Sequence, residues 1–323
     1  KPPMNRIIRT LAFLGAALAA APALAAWPER PVKIVLPAPA GTSADAMARG
    51  LAEKLSARWG QPVVIENRPG GGTIVATDTV AKAPPDGHTL GWIITAHAIN
   101  ATLQPRLPYD TAADFSGVTL LYQLKAAIVV GPGVPVSTVD ELVAWIRAQG
   151  HVVSYASPGI ATGPQLLGEL FRLHYGLDMQ HVPYKGTSQA YPDLMSGRIP
   201  VIFDTLPSAL PLVRAGRMKL IAVVSDEPVP GEPGLPLLSG LLPRDAVVGW
   251  NGLVVPRGTP RPLVARLNAD IVEAVRSPEI QALFARFGVQ TLTSTPEEFD
   301  AFIRRDVQRW ADVIARAHIA PGS

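Results

Sequence analysis

The chain has no cysteine in 323 residues. That absence excludes disulfide frameworks, thiolate metal ligands, thiol nucleophiles and a lipid-modified cysteine. Charge is sparse as well: 17% of residues are charged and only 6% are aromatic. There is no basic run interleaved with aromatics, so nucleic acid is not an expected partner, and there is no stacking platform for sugars. The six histidines, at 88, 97, 151, 174, 181 and 318, never fall at H-x-x-x-H or similar spacing, so no metal is expected. A G-x-x-x-x-G-K-[ST] loop is missing, which excludes a P-loop. Beyond residue 26 no run reaches the roughly 20 apolar residues that a spanning helix needs.

What is present begins with Lys1, Arg6 and Arg9, followed by LAFLGAALAAAPALAA with Ala23-Leu24-Ala25 near its end. A charged start, a short apolar stretch and a small-x-small site read as a secretory signal peptide over residues 1–26. The alternative is a membrane anchor, which the shortness of the run, its Ala content and Pro22 disfavour. Residues 1–26 hold three of the 29 Lys/Arg and none of the 26 Asp/Glu, so 26 basic residues face 26 acidic ones afterwards. A neutral, cysteine-free mature chain predicts a periplasmic protein that is not a lipoprotein. With 48% hydrophobic residues, it has ample material for a core.

After Trp27, β-branched runs alternate with amphipathic stretches. Strands are expected at 32–36, 62–68, 89–95, 118–123, 126–131, 151–157, 181–186, 200–205, 220–225, 251–256 and 289–294. Helices are expected at 43–58, 138–148, 163–175, 187–196, 260–276 and 296–317. Several strands are apolar throughout, as in sheets covered on both faces. The alternation predicts an α/β fold with parallel sheets.

Three strand-to-helix junctions stand out. In PAPAGTSADAMAR (37–49), Thr42 with Asp45 approaches a capping box, and Asp45 can pair with Arg49. In SYASPGIATGPQLLGELF (154–171), Ser157-Pro158-Gly159 and Thr162-Gly163-Pro164 repeat the arrangement. Lys185-Gly186-Thr187-Ser188 is the third. Glycines and hydroxyls ahead of a helix leave N–H groups open beside its positive end, which favours an anion. In open α/β sheets, ligands sit beyond the carboxyl ends of strands. Simple capping is the alternative. Gly41-Thr42-Ser43-Ala44-Asp45 lacks the second glycine of an esterase elbow, and Gly70-Gly71-Gly72 lacks the third glycine and the distal acid of a dinucleotide site. Asp204 ends an apolar strand, where it either faces a cleft or starts a turn. His97 and His181 lie at strand ends.

The blocks LPAPAGTSADAMAR, VVIENRPGGGT, APPDGHTLGW, YASPGIATGPQLLGELF, HVPYKG, DLMSGRIPVIFDTLPSALPLVRAGRMKLIAVVS and GWNGLVVPRGTPRP run in order over nearly the whole mature chain. Together they resemble the Bug-type solute-binding receptors of tripartite tricarboxylate transporters. The resemblance implies a two-lobed periplasmic-binding-protein fold of type II character, with two crossing hinge strands and a cleft that closes on a small carboxylate. It implies neither catalysis nor a cofactor. Carried over by position, the ligand-binding residues are Ala40, Gly41, Thr42, Ser43 and Asp45 in one loop and Ser157, Gly159, Thr162 and Gly163 in the other, with Thr95 and Asp204 at strand ends. Relatives often have Gly-Gly at Gly41-Thr42 and a Ser-His or similar pair at Gly163-Pro164-Gln165, which leaves the substrate open.

The expected partners are a small di- or tricarboxylate bridging the two loops and the transporter's membrane components. A signalling receptor that presents its closed form to a sensor protein is the alternative. An exported esterase is a third, should Ser43 and His97 meet. Lobe one is expected to comprise residues 27–124 and 226–323, and lobe two residues 125–225, with hinges near Lys125 and Ser225.

Overall fold

The computed structural model describes residues 27–229, 232–241, 248–316 and 319. The expected leader and His318 lie outside these. The first sheet is built from β1 (Val32–Leu36), β2 (Val63–Asn67), β3 (Thr89–Ile94), β4 (Phe115–Leu124) and β11 (Gly249–Pro256). Its order is β2-β1-β3-β11-β4. The second is built from β5 (Ala126–Val130), β6 (Val153–Ser157), β7 (Met179–Pro183), β8 (Val201–Thr205), β9 (Lys219–Val224) and β10 (Leu237–Leu238), in the order β10-β9-β5-β8-β6-β7. The fold is two-lobed α/β.

Both sheets are mixed, which corrects the expectation of parallel ones. β1 is parallel to β2 and β3, and β6 to β7 and β8. β11, however, is antiparallel to β3 and β4, and β5 to β8 and β9. A parallel neighbour in the same sheet needs a crossover connection, but β4 runs straight into β5 across Lys125. These strands carry the chain between sheets, so the crossover rule does not fix their direction. The expected change of lobe at residue 226 is also corrected. β10 pairs with β9 through Leu237–Val223 and Leu238–Val224, so the chain stays with the second sheet at least to Leu238.

The helices are α1 (Ser43–Trp59), α2 (Ile74–Ala81), α3 (Ala96–Leu103), α4 (Val139–Ala148), α5 (Gly163–Tyr175), α6 (Thr187–Met195), α7 (Leu206–Arg214), α8 (Arg261–Arg276), α9 (Pro278–Arg286) and α10 (Pro296–Arg316). In α1 the stripe Met47, Leu51 and Leu55 is buried against the first sheet, and Gly60 stops the helix in the left-handed region at φ 66°. Four helices are missing from the expected set. α2 and α3 are short, with eight residues each, α7 carries Pro207 at its start and Pro211 inside, and α9 follows α8 with only Ser277 between them. Conversely, residues 289–294 form no strand: the segment meets β4 through a single antiparallel bridge, Tyr122–Thr291. Thr119 and Ser294 make the neighbouring contacts through their side chains.

α10 packs on α3 and β4 and also reaches α5 of the second lobe. Its buried Asp306 accepts from Trp250 Nε1 at 2.6 Å and Trp310 Nε1 at 3.1 Å, and it pairs with Arg309. Burial pushes the Asp306 carboxyl up against the pull of Arg309. β11 is therefore bolted to the C-terminal helix where it enters the first sheet. No helix among the described residues is long and apolar enough to cross a membrane.

Candidate functional site in the cleft between the lobes

The two loops singled out in the sequence fold into one device used twice. In lobe one, the Thr42 hydroxyl donates to Pro39 O at 2.9 Å and accepts from Asp45 N at 3.3 Å. The Asp45 carboxylate reaches back to accept Gly41 N at 2.9 Å. In lobe two, the Thr162 hydroxyl donates to Gly159 O at 2.8 Å and accepts from Gln165 N at 3.3 Å, while Gln165 Oε1 accepts Ala161 N at 2.7 Å. Both are reciprocal caps in which the hydroxyl and the third-position side chain are consumed inside the loop. The N–H groups left over belong to the first helical turn. Ser43 and Ala44 keep theirs in α1, but α5 keeps only that of Gly163, because Pro164 has none.

The loops also differ in what holds them. Asp45 is 4% exposed and accepts from Arg49 Nε at 2.9 Å and Asn67 Nδ2 at 2.8 Å as well as from Gly41. The Arg49 hydrogen bond lowers its pKa to about 2, against the opposing cost of burial. Gly41, at φ +83°, has no atom within 4 Å of where a Cβ would stand. At Gly163 a Cβ would come within 1.8 Å of Val248 O, so the second loop is pressed against the backbone that leads into β11.

Between the lobes lies a cleft with two compartments that share Tyr122, Leu124 and Thr205. The inner one, about 280 Å³, is walled by Trp92, Ile94 and Trp250 from the first sheet and by Ala161, Thr162 and Pro164 from the second loop. The outer one, about 420 Å³, opens past Ser43, Ser208, Arg214 and Arg286. Ala44 faces the inner compartment and Ser43 the outer, so the start of α1 stands at their junction. Asp, Glu, Lys, Arg and His are all absent from the described residues lining the inner compartment.

Of the sequence-expected positions, Thr95, Thr162 and Gly163 line the inner compartment and Ser43 the outer one. Ala40, Gly41, Thr42, Asp45, Ser157, Gly159 and Asp204 line neither. Ala40 and Gly41 are exposed on the loop, and Thr42 and Asp45 build it. Ser157 is fully buried, its Oγ meeting Gly159 O at 3.1 Å and His181 Nε2 at 2.6 Å. Asp204, 1% exposed, accepts from Tyr191 Oη at 2.5 Å and Thr205 N at 2.6 Å. Its burial raises the pKa to about 7. It anchors the end of β8 to α6 behind the cleft.

The esterase pair is not assembled. His97 is buried, with Nε2 at 3.2 Å from Thr111 O and its ring stacked on Tyr109, and burial lowers its pKa to about 4. Ser43 makes no hydrogen bond to it. Sequence reasoning missed Tyr122, Trp250 and Asn251. All three stand on the crossing strands β4 and β11, whose pairing only the structure reveals.

The profile of the tripartite tricarboxylate transporter family receptor (TctC) matches residues 47–319. The chain belongs to this family. Protein BugT of Bordetella pertussis is 32% identical over 316 residues, covering 96% of this chain and 97% of BugT. The UPF0065 protein in the tcbD-tcbE intergenic region of Pseudomonas sp. strain P51 is 34% identical over 293 residues, covering 90% of this chain and 87% of that one. Among solved structures, R. palustris Rpa4515 with adipate superposes with a TM-score of 0.80 at 30% identity, covering 91% of this chain and 99% of that one. The periplasmic binding protein BugD gives 0.77 at 28%, covering 91% and 99%. MatC from Rhodopseudomonas palustris with bound malate gives 0.76 at 28%, covering 89% and 100%. The family and fold are those of periplasmic solute-binding receptors.

Proposed function

We propose that the chain is exported through residues 1–26, binds a small organic carboxylate between its lobes and hands it to a membrane transporter without chemistry. The observation that carries this reading is the junction of the two compartments. There the start of α1 offers the N–H groups of Ser43 and Ala44 to an anion, inside a cleft formed by both lobes. Adipate and malate in two structural neighbours support the carboxylate class. Ser43, Thr95, Thr162 and Gly163 are the sequence-expected residues that would meet the ligand. Thr42, Asp45, Ser157, Gly159 and Asp204 would hold the loops in place.

The moving bodies would be residues 27–124 with the segment from β11 onward, and residues 125 to about 240. Hinges would then fall at Lys125 and where the chain enters β11 at Val248 and Gly249. Ligand-dependent closure should reduce the radius of gyration in solution scattering, whereas an unchanged profile at saturation contradicts a hinge. A thermal-shift screen tests the ligand class directly. Ligand at 100 times its dissociation constant adds about 2.7 kcal/mol of stability, so mono-, di- or tricarboxylates should raise the melting temperature while sugars and amines leave it unchanged. A response confined to sugars or cations defeats the reading. Presentation of the closed form to a sensor protein is the second use of the same cleft. Loss of carboxylate uptake in a deletion strain favours transport, and loss of a transcriptional response with uptake intact favours sensing.

A further inference from the structure

The inner compartment has a chemical character of its own. No charged side chain or histidine lines it among the described residues, and most of its lining is apolar, including Pro37, Ala38, Ile94, Leu124, Pro158 and Pro164. The polar atoms in those walls are mostly occupied. Trp92 Nε1 donates to Asn251 Oδ1 at 2.7 Å, Trp250 Nε1 to Asp306, and Trp250 N to Thr95 Oγ1 at 2.7 Å. The Thr162 hydroxyl is spent on Gly159 O. A ligand rich in hydroxyls or carboxylates would lose its hydration there with few partners in return.

Two groups are exceptions: Asn251 Nδ2, which has no hydrogen-bond partner among the described residues, and Tyr122. Tyr122 is 3% exposed and lines both compartments, and its hydroxyl has no hydrogen-bond partner among the described residues. Unlike the Tyr109 hydroxyl, which is sealed and unpaired, that of Tyr122 keeps access to the cleft. It is therefore a donor available to an acceptor of the ligand at the junction.

We infer that the ligand is a carboxylate with an apolar body, aliphatic or aromatic, whose head accepts from Tyr122 Oη and the Ser43 and Ala44 N–H groups at the junction and whose body fills the inner compartment. This rests on the carboxylate reading and narrows it. The single head follows from the second loop, where Pro164 removes a donor and leaves only the Gly163 N–H for a second carboxylate. Arg286, exposed on the rim of the outer compartment with no ion-pair partner among the described residues, leaves the approach to the head positively charged.

Calorimetric titration of the mature chain with butanoate, hexanoate, benzoate, malate, citrate and glucose tests the inference. Affinity should climb roughly fourfold per methylene from butanoate to hexanoate. Benzoate should bind comparably to hexanoate, and malate and citrate at least tenfold more weakly. Tyr122→Phe should weaken hexanoate roughly ten- to hundredfold without lowering the melting temperature of the free protein. Malate or citrate binding more tightly than hexanoate overturns the apolar body and leaves the carboxylate reading standing. Unchanged hexanoate affinity in Tyr122→Phe overturns the placement of the head. Glucose binding with no response to any carboxylate overturns both.

Discussion

The loop at 37–45 and the loop at 157–165 carry the same cap on different foundations. In lobe one the third-position side chain is an ionised Asp45 fastened to Arg49 and Asn67, and the loop around Gly41 stands clear of its surroundings. In lobe two it is a neutral Gln165, and Gly163 is pressed onto Val248 at the entry of a crossing strand. The difference teaches that similar sequences at two lobes need not make similar sites. One loop leaves two N–H groups free at the start of α1. The other couples the lobe to the strand that returns the chain to lobe one.

The sharpest way to break that comparison is to add a side chain on each side. Gly163→Val should cost about 3 kcal/mol or more, since the clash is with backbone that cannot swing away. Gly41→Ala should cost about 1 kcal/mol, the penalty of a left-handed conformation alone. Urea unfolding of the two variants measures both. Equal costs would mean that the second loop is not pinned.

The acids give the next largest contrast. Asp204 has its pKa raised from 3.8 to about 7 in the fold. Its neutral form is therefore favoured by folding, and the stability it contributes is complete below about pH 4 and is lost as pH rises through about 7. Asp204→Asn should flatten that decline by about 2 kcal/mol between pH 5 and 8, read from melts across the range. Asp45 is shifted the opposite way, from 3.8 to about 2. Its contribution is present above about pH 4 and lost as pH falls through about 2. Asp45→Ala should cost about 1–2 kcal/mol at neutral pH, part of the ion-pair energy being screened because Arg49 is exposed. Gln165→Ala should cost about 1 kcal/mol with no dependence on pH between 2 and 5. An acid-sensitive Gln165 variant would erase the distinction.

The smallest effects concern the capping threonines. Thr42→Ala and Thr162→Ala should each lower stability by about 1 kcal/mol. Thr42→Ala should leave carboxylate affinity unchanged, because its hydroxyl is committed to Pro39 O and Asp45 N. A tenfold loss of affinity in the Thr42 variant would return that hydroxyl to the ligand.

Much of this was legible beforehand because it is local. Met47, Leu51 and Leu55 announce α1, Thr42 and Thr162 announce the helix starts, and Gly60 after α1 and Gly176 after α5, both in the left-handed region, announce the stops, each through local chemistry. The cleft was legible only in part. Thr95, Thr162 and Gly163 stand at strand and helix ends, where a ligand is expected. Tyr122, Trp250 and Asn251 carry no local mark, since their position depends on β11 lying antiparallel between β3 and β4. Asp204, an acid after an apolar strand, reads equally as facing a cleft or starting a turn, and its bond from Tyr191 depends on a helix, α6, whose packing the local sequence does not place. Residues 289–294 have the composition of a strand but meet β4 through one bridge, so a β-branched run was not enough. Pro211 hid α7 because a proline inside a helix ordinarily argues against one.

The central claim is that an anion sits on the start of α1 between the lobes. A crystal structure with the tightest-binding carboxylate tests it most directly. The result expected is a carboxylate within about 2.7–3.2 Å of the Ser43 and Ala44 N–H groups, with Tyr122 Oη donating to it and the ligand's body in the compartment lined by Ile94, Leu124 and Pro164. A carboxylate seated instead on the Gly163 side, or anywhere outside the cleft, with the N–H groups at Ser43 and Ala44 left to solvent, would contradict it.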